Sequence, residues 1–534
     1  MNDCFYSSHL YRKNIAVQQN KFALMSAGQQ NMQIYLTVLC YQFELDDLHR
    51  TIQSVSQLNE QFDQVFLLCP EDIFDQIQLY LKSVFKQDKS VIVTTSLTRM
   101  NQKSSFVIFS GEALHANTVK VLRSEINENS DIVYVDTDNL DANQQRCFPE
   151  FYPDWNPDLQ ISTGYINTGV WLKNVNDFAN LLGTRFGPAA LMEWLTEAYL
   201  TQRNYVIQHI AYVLVHRNQK TKSIFNDVSP SFFGMLRQFG NASFVKPQEV
   251  IKLAWYVTVP PLVSLIIPTK NAKSLVKACI ESILFRSNYA NFEILLVDNN
   301  SDDPDCIGYF NQLAEHPKVR LLHFPEPFNY SAINNFAVQH ANGEIIGLIN
   351  NDIEVIEPDW LNYMVGHVVR RDIGCVGAKL LFSNNKIQHA GVVLGYGGGA
   401  GHAHKFFNHD QAGYLNRLIA SHNYSAVTAA CLLVKKADYL VVGGLNETDL
   451  TVAFNDVDFC LKVMESGKRN LFCAEALLYH HESISRGLED TPEKVRRFER
   501  EVNYLKEKWD KYIQHDPAYN PNLTLNAENF SIRK

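Results

Sequence analysis

Ile345-Ile346-Gly347-Leu348-Ile349-Asn350-Asn351-Asp352-Ile353-Glu354-Val355 is the stretch on which the fold turns. A short apolar run, Ile345 to Ile349, stops abruptly on two amides and a carboxylate. Such a pattern describes a buried strand that delivers Asp352 to its C-terminal end. In open α/β sheets, ligands sit just beyond the carboxyl ends of strands. A carboxylate there, beside two amides, can hold a hard divalent cation through oxygen, and that cation can hold a diphosphate. Taken alone, Asn350, Asn351 and Asp352 are also ordinary turn residues. The rest of the chain has to decide between the two.

Upstream, Val263–Ile267 reads as a strand ending on Pro268-Thr269-Lys270-Asn271. The next helix, about 272–286, carries Leu275, Val276, Cys279, Ile280, Ile283 and Leu284 in two adjacent i, i+4 rows, a broad buried stripe. Glu293–Val297 is a second strand and ends on Asp298-Asn299-Asn300-Ser301-Asp302-Asp303. Val319–His323 is a third, and a helix over Ser331–His340 leads into the opening run. The first half alternates in the same way. Strands are expected at Ile34–Cys40, Gln64–Cys69, Ser90–Thr94, Phe106–Phe109 and Asp131–Val135, with helices near 46–58, 73–86 and 113–128. Strand and helix in alternation predict α/β domains with mainly parallel sheets. Residues 1–32 are polar and lack a clear period, which reads as a loosely attached N-terminal arm. Residues 148–158 hold too many prolines for regular structure. Pro247, Pro260 and Pro261 mark 247–262 as a linker.

The halves repeat one order of events. Thr51-Ile52-Gln53-Ser54-Val55 is matched by Cys279-Ile280-Glu281-Ser282-Ile283, and Val213-Leu214-Val215-His216 by Leu477-Leu478-Tyr479-His480. The offset, about 230 residues early on, is far beyond a solenoid repeat. Two tandem copies follow, at 33–246 and 263–490, with 491–534 as a C-terminal helix and tail packing on the second. The copies differ in chemistry. The second offers Asp298, Asp352, Asp456 and His480 at strand ends or turns. The first has Ser110-Gly111-Glu112 in place of Asn350-Asn351-Asp352, and Gly187-Pro188-Ala189-Ala190-Leu191 in place of Phe454-Asn455-Asp456-Val457-Asp458. A site that must hold a cation and deprotonate a hydroxyl cannot run on that set, so the first copy is predicted to be silent. Its remaining candidates as metal ligands are Asp136 and Asp138.

Composition narrows the class of function. The chain of 534 residues suggests two to four domains at about 150 residues each. A net charge of −9 supplies no basic footprint for nucleic acid. Ten cysteines lack paired spacing, and several lie inside apolar runs, as buried residues of a reducing compartment do. No apolar run approaches the roughly 18–20 residues that cross a bilayer. The N-terminus is unlike a secretory signal. A cytoplasmic location is expected, with peripheral contact at the inner face of the cell membrane left open.

These motifs resemble family-2 glycosyltransferases of the GT-A fold, of the kind that build bacterial surface polysaccharides, rhamnosyltransferases among them. The resemblance rests on Val263–Asn271, Val297–Asp303, Gly347–Val355, Ile387-Gln388-His389-Ala390-Gly391-Val392-Val393-Leu394-Gly395, Ala453–Cys460, His480-His481-Glu482-Ser483-Ile484-Ser485-Arg486-Gly487 and Tyr519–Leu525. The first half is similar more weakly, through Asp131–Asp138 and Phe151-Tyr152-Pro153-Asp154-Trp155. The resemblance implies two tandem GT-A-like (nucleotide-diphospho-sugar transferase) domains. It implies inverting transfer from a nucleotide-sugar donor, assisted by Mg or Mn, to a glycan or polyprenyl-diphosphate-linked acceptor. Asp456 would be the general base. Thr269, Asn271, Asp298, Asn335, Asn350, Asn351 and Arg486 would bind the donor, with Arg486 clamping phosphate. Asp352 and His480 would ligate the metal. The family motif is Asp-x-Asp, and Asn350 here removes one charge. Asp458 reads as a helix-start cap. Gly397-Gly398-Gly399-Ala400-Gly401-His402 reads as a mobile flap over the donor, and Ser425–Val434 as a core strand. Two other readings stay open: a bifunctional enzyme with both copies active, and a glycan-binding or assembly scaffold with neither.

Overall fold

The computed structural model describes residues 6–25, 32–84, 91–96, 104–176, 178, 187, 189–218, 224–246, 249–481 and 491–534. The chain divides into two units. One is Met1–Gln238 with Tyr519–Thr524 and Ser531–Lys534, and the other is Phe239–Ala518 with Leu525–Phe530.

In the first unit the apolar runs become β1 (Tyr35–Leu39), β2 (Gln64–Leu68), β3 (Val91–Thr94), β4 (Ser105–Phe109), β5 (Ala113–Leu114), β6 (Ile132–Leu140), β7 (Arg146–Glu150), β8 (Val170–Leu172) and β9 (Ile207–Asn218). They form one sheet in the order β3-β2-β1-β4-β8-β6-β9-β5, with β7 added to β6. Strands β1 to β4 are mutually parallel, and β8 runs against both its neighbours. The second unit opens with an antiparallel hairpin, β10 (Gly240–Val245) and β11 (Val250–Trp255). It continues through β12 (Val263–Thr269), β13 (Phe292–Asp298), β14 (Val319–His323), β15 (Ile345–Ile349), β16 (Ile353–Val355), β17 (Ile373–Leu381), β18 (Ile387–His389), β19 (Val392–Leu394), β20 (Ala400–His402), β21 (His422–Tyr424), β22 (Cys431–Lys435) and β23 (Arg469–His480). Its main sheet runs β14-β13-β12-β15-β22-β17-β23-β16.

Place for place, that is the order of the first sheet. β12 stands where β1 does, β15 where β4 does, β22 where β8 does, and β16 closes the edge as β5 does. The long parallel pair β6–β9 is matched by β17–β23, and each pair contains register shifts. The repeat seen in the sequence is therefore a repeat of connectivity. The fold is two tandem GT-A-like α/β domains with mainly parallel sheets flanked by helices, as expected.

The run that opened the sequence reading is β15, buried along its whole length. Its Gly347 has a packing reason: a Cβ there would meet Leu265 Cδ2 at 2.6 Å and Leu433 Cδ2 at 2.9 Å from the flanking strands. Helix Lys273–Arg286 buries Val276, Cys279, Ile280 and Ile283 in the core beside this sheet, and helix Trp360–Val368 adds Trp360, Leu361, Met364 and Val365. Nine described cysteines are buried.

Five expectations change. The N-terminal arm contains a helix, Ser8–Leu24, that buries Tyr11, Asn14, Gln18 and Phe22 on one face. Two of those four are amides, so no hydropathy period betrays the stripe. The linker expected at 247–262 contains β11, whose Val250 and Ile251 are buried. Prolines lie on either side of the strand rather than in it. The proline-rich 148–158 stretch still supplies part of edge strand β7 and the start of helix Pro157–Thr163, where proline suits the first turn. Asp136-Thr137-Asp138 continues the strand expected to end at Val135. It lies inside β6, paired with Val213, Val215 and His216 of β9. Finally, the expected strand at Ser425–Val434 is shorter: β22 begins at Cys431, and before it Ala426 makes an isolated bridge to Val392.

Candidate active site

Register builds the site. β12 and β13 are parallel with Thr269 opposite Asp298, and β15 lies on the other side of β12. Three neighbouring strands therefore end together, on Thr269, Asp298 and Asn350-Asn351-Asp352. Asn351 closes the gap between two of them, its Nδ2 donating to Thr269 Oγ1 at 3.0 Å. Asp298 is buried, and its Oδ1 accepts from Ser301 N at 3.0 Å and Ser301 Oγ at 2.5 Å. His323 Nδ1 lies 3.6 Å from Asp298 Oδ2. Asn271 turns the chain after β12 with φ near +51°, a left-handed conformation that asparagine tolerates. Its Oδ1 accepts from the amides of Asp302 and Asp303, both at 3.1 Å, and so ties this turn to the one after β13.

The second feature comes from the sheet edge. β16 pairs antiparallel with β23, and Ile353 faces His480. The imidazole is thereby placed beside Asp352: Nε2 lies 3.2 Å from Asp352 Oδ1. The separation is that of a contact, but the direction is not that of a hydrogen bond. Asp352 Oδ1 and His480 Nδ1 are both buried without a hydrogen-bond partner. Asn350 is gripped from two sides. Its Nδ2 donates to His480 Nε2 at 3.2 Å, while Tyr330 OH lies 3.3 Å from its Oδ1. A buried, unsatisfied carboxylate oxygen beside an imidazole nitrogen is a donor set that suits a hard or borderline divalent cation, so the residues present fit the group that the sequence implied.

The third feature is Asp456, one residue into helix Asn455–Glu465. Its Oδ2 accepts from Ala429 N at 3.0 Å and its Oδ1 from its neighbour Val457 N at 2.9 Å. Burial pushes its carboxyl above the usual aspartate range, against the pull of those bonds. Ala429 also offers its carbonyl to Tyr330 OH at 3.2 Å, so Asp456 and Asn350 are joined through one short backbone segment.

Sequence reasoning missed a histidine pair beside this segment. His389 Nε2 accepts from Gly391 N at 3.3 Å and Thr428 N at 3.4 Å. Its other nitrogen meets His402 Nδ1 at 2.8 Å. Burial, and then the neighbouring histidines or Lys405, hold both rings below the ordinary histidine range, His402 down to about 3. His389 lies within a quoted motif, but nothing in its spacing announces the partner. Gly397-Gly398-Gly399, read as a flap, forms a tight turn between the paired strands β19 and β20, with Gly397 and Gly398 at positive φ.

Two roles change. Asn335 is not at the strand ends. Its Nδ2 donates to Leu445 O and Glu447 Oε2, both at 2.9 Å, and its Oδ1 accepts from Leu445 N and Tyr439 OH. All its amide atoms are used in holding the 445–447 loop. Asp458 does not cap its helix; its Oδ1 accepts from Lys508 Nζ at 2.8 Å and Trp509 Nε1 at 2.9 Å. Arg486 lies outside the described residues.

In the first unit, Glu112 Oε2 accepts from Phe109 N at 2.8 Å and Thr168 Oγ1 at 2.5 Å, and helix Ala190–Leu200 begins on Ala190 and Leu191 where the second unit has Asn455 and Asp456. Asp136 and Asp138 are fully buried and fully engaged. Asp136 takes His209 Nε2 at 2.9 Å, Tyr152 N at 2.9 Å and Asn520 Nδ2 at 3.0 Å. Asp138 takes His216 Nδ1 at 2.5 Å, Arg146 Nε at 2.6 Å and Tyr11 OH.

The sequence model of glycosyl transferase family 2 matches residues 264–432. That span contains Asp298 and Asp352 and stops short of Asp456 and His480. The uncharacterized protein y4gI of Sinorhizobium fredii is 42% identical over 417 residues, which cover 75% of this chain and 46% of that protein. The O-antigen biosynthesis protein RfbC of Myxococcus xanthus is 32% identical over 430 residues, covering 76% of this chain and 32% of that protein. The chain thus spans less than half the length of either relative. Among solved structures, it is similar to the mannosyltransferase PcManGT from Pyrobaculum calidifontis in complex with GDP-Man and Mn2+, with 15% identity, a TM-score of 0.35 and coverage of 55% of this chain and 72% of that one.

Proposed function

We propose that the protein, whose residues 264–432 match the sequence model of glycosyl transferase family 2, transfers a sugar, with inversion, from a nucleoside-diphosphate donor to a glycan acceptor in the synthesis of a cell-surface polysaccharide. The observation that carries this reading is the placing of Asp298, Asn350-Asn351-Asp352 and His480 at the carboxyl ends of one sheet, with Asp456 of the helix Asn455–Glu465 tied to Ala429, whose carbonyl takes the Tyr330 hydroxyl beside Asn350. An acceptor built on a polyprenyl diphosphate is the family analogy. The O-antigen role in the name of RfbC supports the polysaccharide context. No helix among the described residues is long and apolar enough to cross a membrane.

The residues divide the work. Asp298, at the end of β13, accepts hydrogen bonds from the ribose or base of the donor. Thr269 and Asn351 form the floor between β12 and β15. Asp352 and His480 would hold a divalent cation, magnesium or manganese, which when bound offsets charge on the leaving diphosphate. Asn350 holds His480 Nε2 as long as no cation takes that lone pair, and Tyr330 holds Asn350. Asp456 takes the proton of the attacking hydroxyl as the new bond forms. Its raised proton affinity suits that step, provided the pH keeps it ionised. The first unit is read as silent, because Asp136 and Asp138 have no free oxygen to give a metal and Leu191 stands where the base would be.

The test is a binding and hydrolysis screen of UDP-, GDP- and dTDP-sugars with and without manganese. One class of donor should bind tightly only with the cation. Equal binding in both conditions overturns the metal assignment. Binding of glycans with no binding of any nucleotide sugar overturns the transferase reading in favour of a scaffold.

A further inference from the structure

The hydrophobic period of helix Pro492–Lys508 predicts only a packing role. Its polar contacts add something else. Glu501 is 1% exposed, yet its carboxylate is aimed at a loop rather than at solvent. Oε1 accepts from Thr451 Oγ1 at 3.0 Å and Val452 N at 2.9 Å, and Oε2 accepts from Ala453 N at 3.1 Å. Those are the residues that lead directly into helix Asn455–Glu465. The next residue, Phe454, has φ near +58°, an unusual conformation for an aromatic residue. Its ring is held against Phe498 of the same C-terminal helix, with centroids 5.4 Å apart. On the far side of Asp456, Asp458 is tied to Lys508 and Trp509. Phe498, Glu501, Leu505 and Lys508 recur every three or four residues, so one helix face makes all these contacts.

We propose that this helix is a brace for the catalytic base, and that Glu501 is a positioning residue for Asp456. The inference rests on reading Asp456 as the base. A left-handed phenylalanine persists only where its surroundings over-determine it. Here the surroundings are three hydrogen bonds to one buried carboxylate before it and a ring contact upon it. Residues 451–458 are held at both ends by the brace, with Asp456 between the two grips. Loosening the grip leaves the strand ends that bind the donor in place and lets the base wander.

The experiment uses the full chain carrying Glu501→Gln, Glu501→Ala or Asp456→Asn. Three quantities are measured: amide hydrogen exchange at Val452 and Ala453, binding of UDP-glucose and GDP-mannose with manganese, and turnover of whichever is used. Glu501→Ala should speed exchange at both amides at least tenfold and lower kcat at least tenfold. Donor Kd and KM should stay within about threefold, and Glu501→Gln should fall between Ala and wild type. Wild-type kcat in a folded Glu501→Ala protein overturns the proposal, as does a loss carried by KM alone. Wild-type turnover in Asp456→Asn overturns the base assignment instead, and removes the premise even when exchange at 452 and 453 responds. Should Glu501→Ala fail to fold, Thr451→Val deletes one of the three bonds from the loop side. It should give a smaller kcat loss with the same unchanged Kd, and wild-type kcat there overturns the proposal.

Discussion

Replacing Asp456 by Asn tests the proposed chemistry and the local geometry together. Each carboxylate oxygen accepts one backbone N–H, from Ala429 at 3.0 Å and from Val457 at 2.9 Å. An amide has only one oxygen. Whichever way it turns, its NH2 faces a backbone donor, so one bond is lost and one buried donor is left unpaired. That costs about 1–3 kcal/mol, or roughly 2–5 °C in Tm for a unit of this size at about 2.1 cal/mol/K of unfolding entropy per residue. The variant also removes the base, for which positioned proton transfer supplies about 10²–10⁴ in rate. Turnover should therefore fall at least a hundredfold while donor Kd in manganese stays within about threefold. In the wild type, burial raises the Asp456 carboxyl; the acid form is inactive, so kcat should decline on acidification at a pH above the ordinary aspartate value of about 3.9. Stopped turnover assays across pH, calorimetric titration of donor and a thermal melt give the three numbers. Turnover within threefold of wild type would refute the base assignment, and an unchanged Tm would refute the two-bond account of the carboxylate.

Further outcomes are expected. Asp352 is the sole carboxylate in Asn350-Asn351-Asp352, so Asp352→Ala should reduce nucleotide binding in manganese to the metal-free level; titration calorimetry that still shows a tenfold gain from the cation would sink the ligand assignment. In the first unit, burial pushes the Asp138 carboxyl up, but His216, Arg146 and Tyr11 outweigh it and hold it low. Asp138→Asn breaks this buried set at about 3–5 kcal/mol, lowering the urea midpoint of that unit while transfer per folded molecule is unchanged; lost transfer would mean that the first unit is not silent. His389 and His402 are held neutral in the fold, whereas the unfolded chain protonates them below about pH 6.5. Stability should be full above that pH and decline below it by about 1.4 kcal/mol per pH unit for each ring, and a urea midpoint that stays flat from pH 7 to pH 5 would contradict this.

What the chain declares about itself depends on how local the cause is. Strand ends are local: an apolar run that stops on Asp298 or on Asn350-Asn351-Asp352 advertises both the strand and its exposed end. The repeat was legible for the same reason, since the order of such runs survives the loss of the polar residues that follow them. Helix Ser8–Leu24 stayed hidden because its buried stripe is Tyr, Asn, Gln and Phe, whose partners lie far along the chain: Gln18 Oε1 accepts from Val213 N. The β11 strand was masked by prolines that lie outside it. Asn335 was assigned by family analogy, yet its partners, 110 and 112 residues away, determine its role. The His389–His402 contact depends on the turn between β19 and β20, which no periodicity reports.

The pairing of β16 with β23 has a consequence for how the site comes into being. Asn350 and His480 are 130 residues apart, and at about 5–20 residues per second a ribosome needs roughly 7 to 26 seconds to deliver the second after the first. Throughout that interval β15 and Asp352 are already synthesised, but β22, which flanks β15 in the sheet, and the imidazole of His480 come only later. Asp456 is also late, and the brace that holds it later still. Thr269 and Asp298, proposed to bind the donor, are thus synthesised well before His480 and Asp456, proposed to supply the metal ligand and the base.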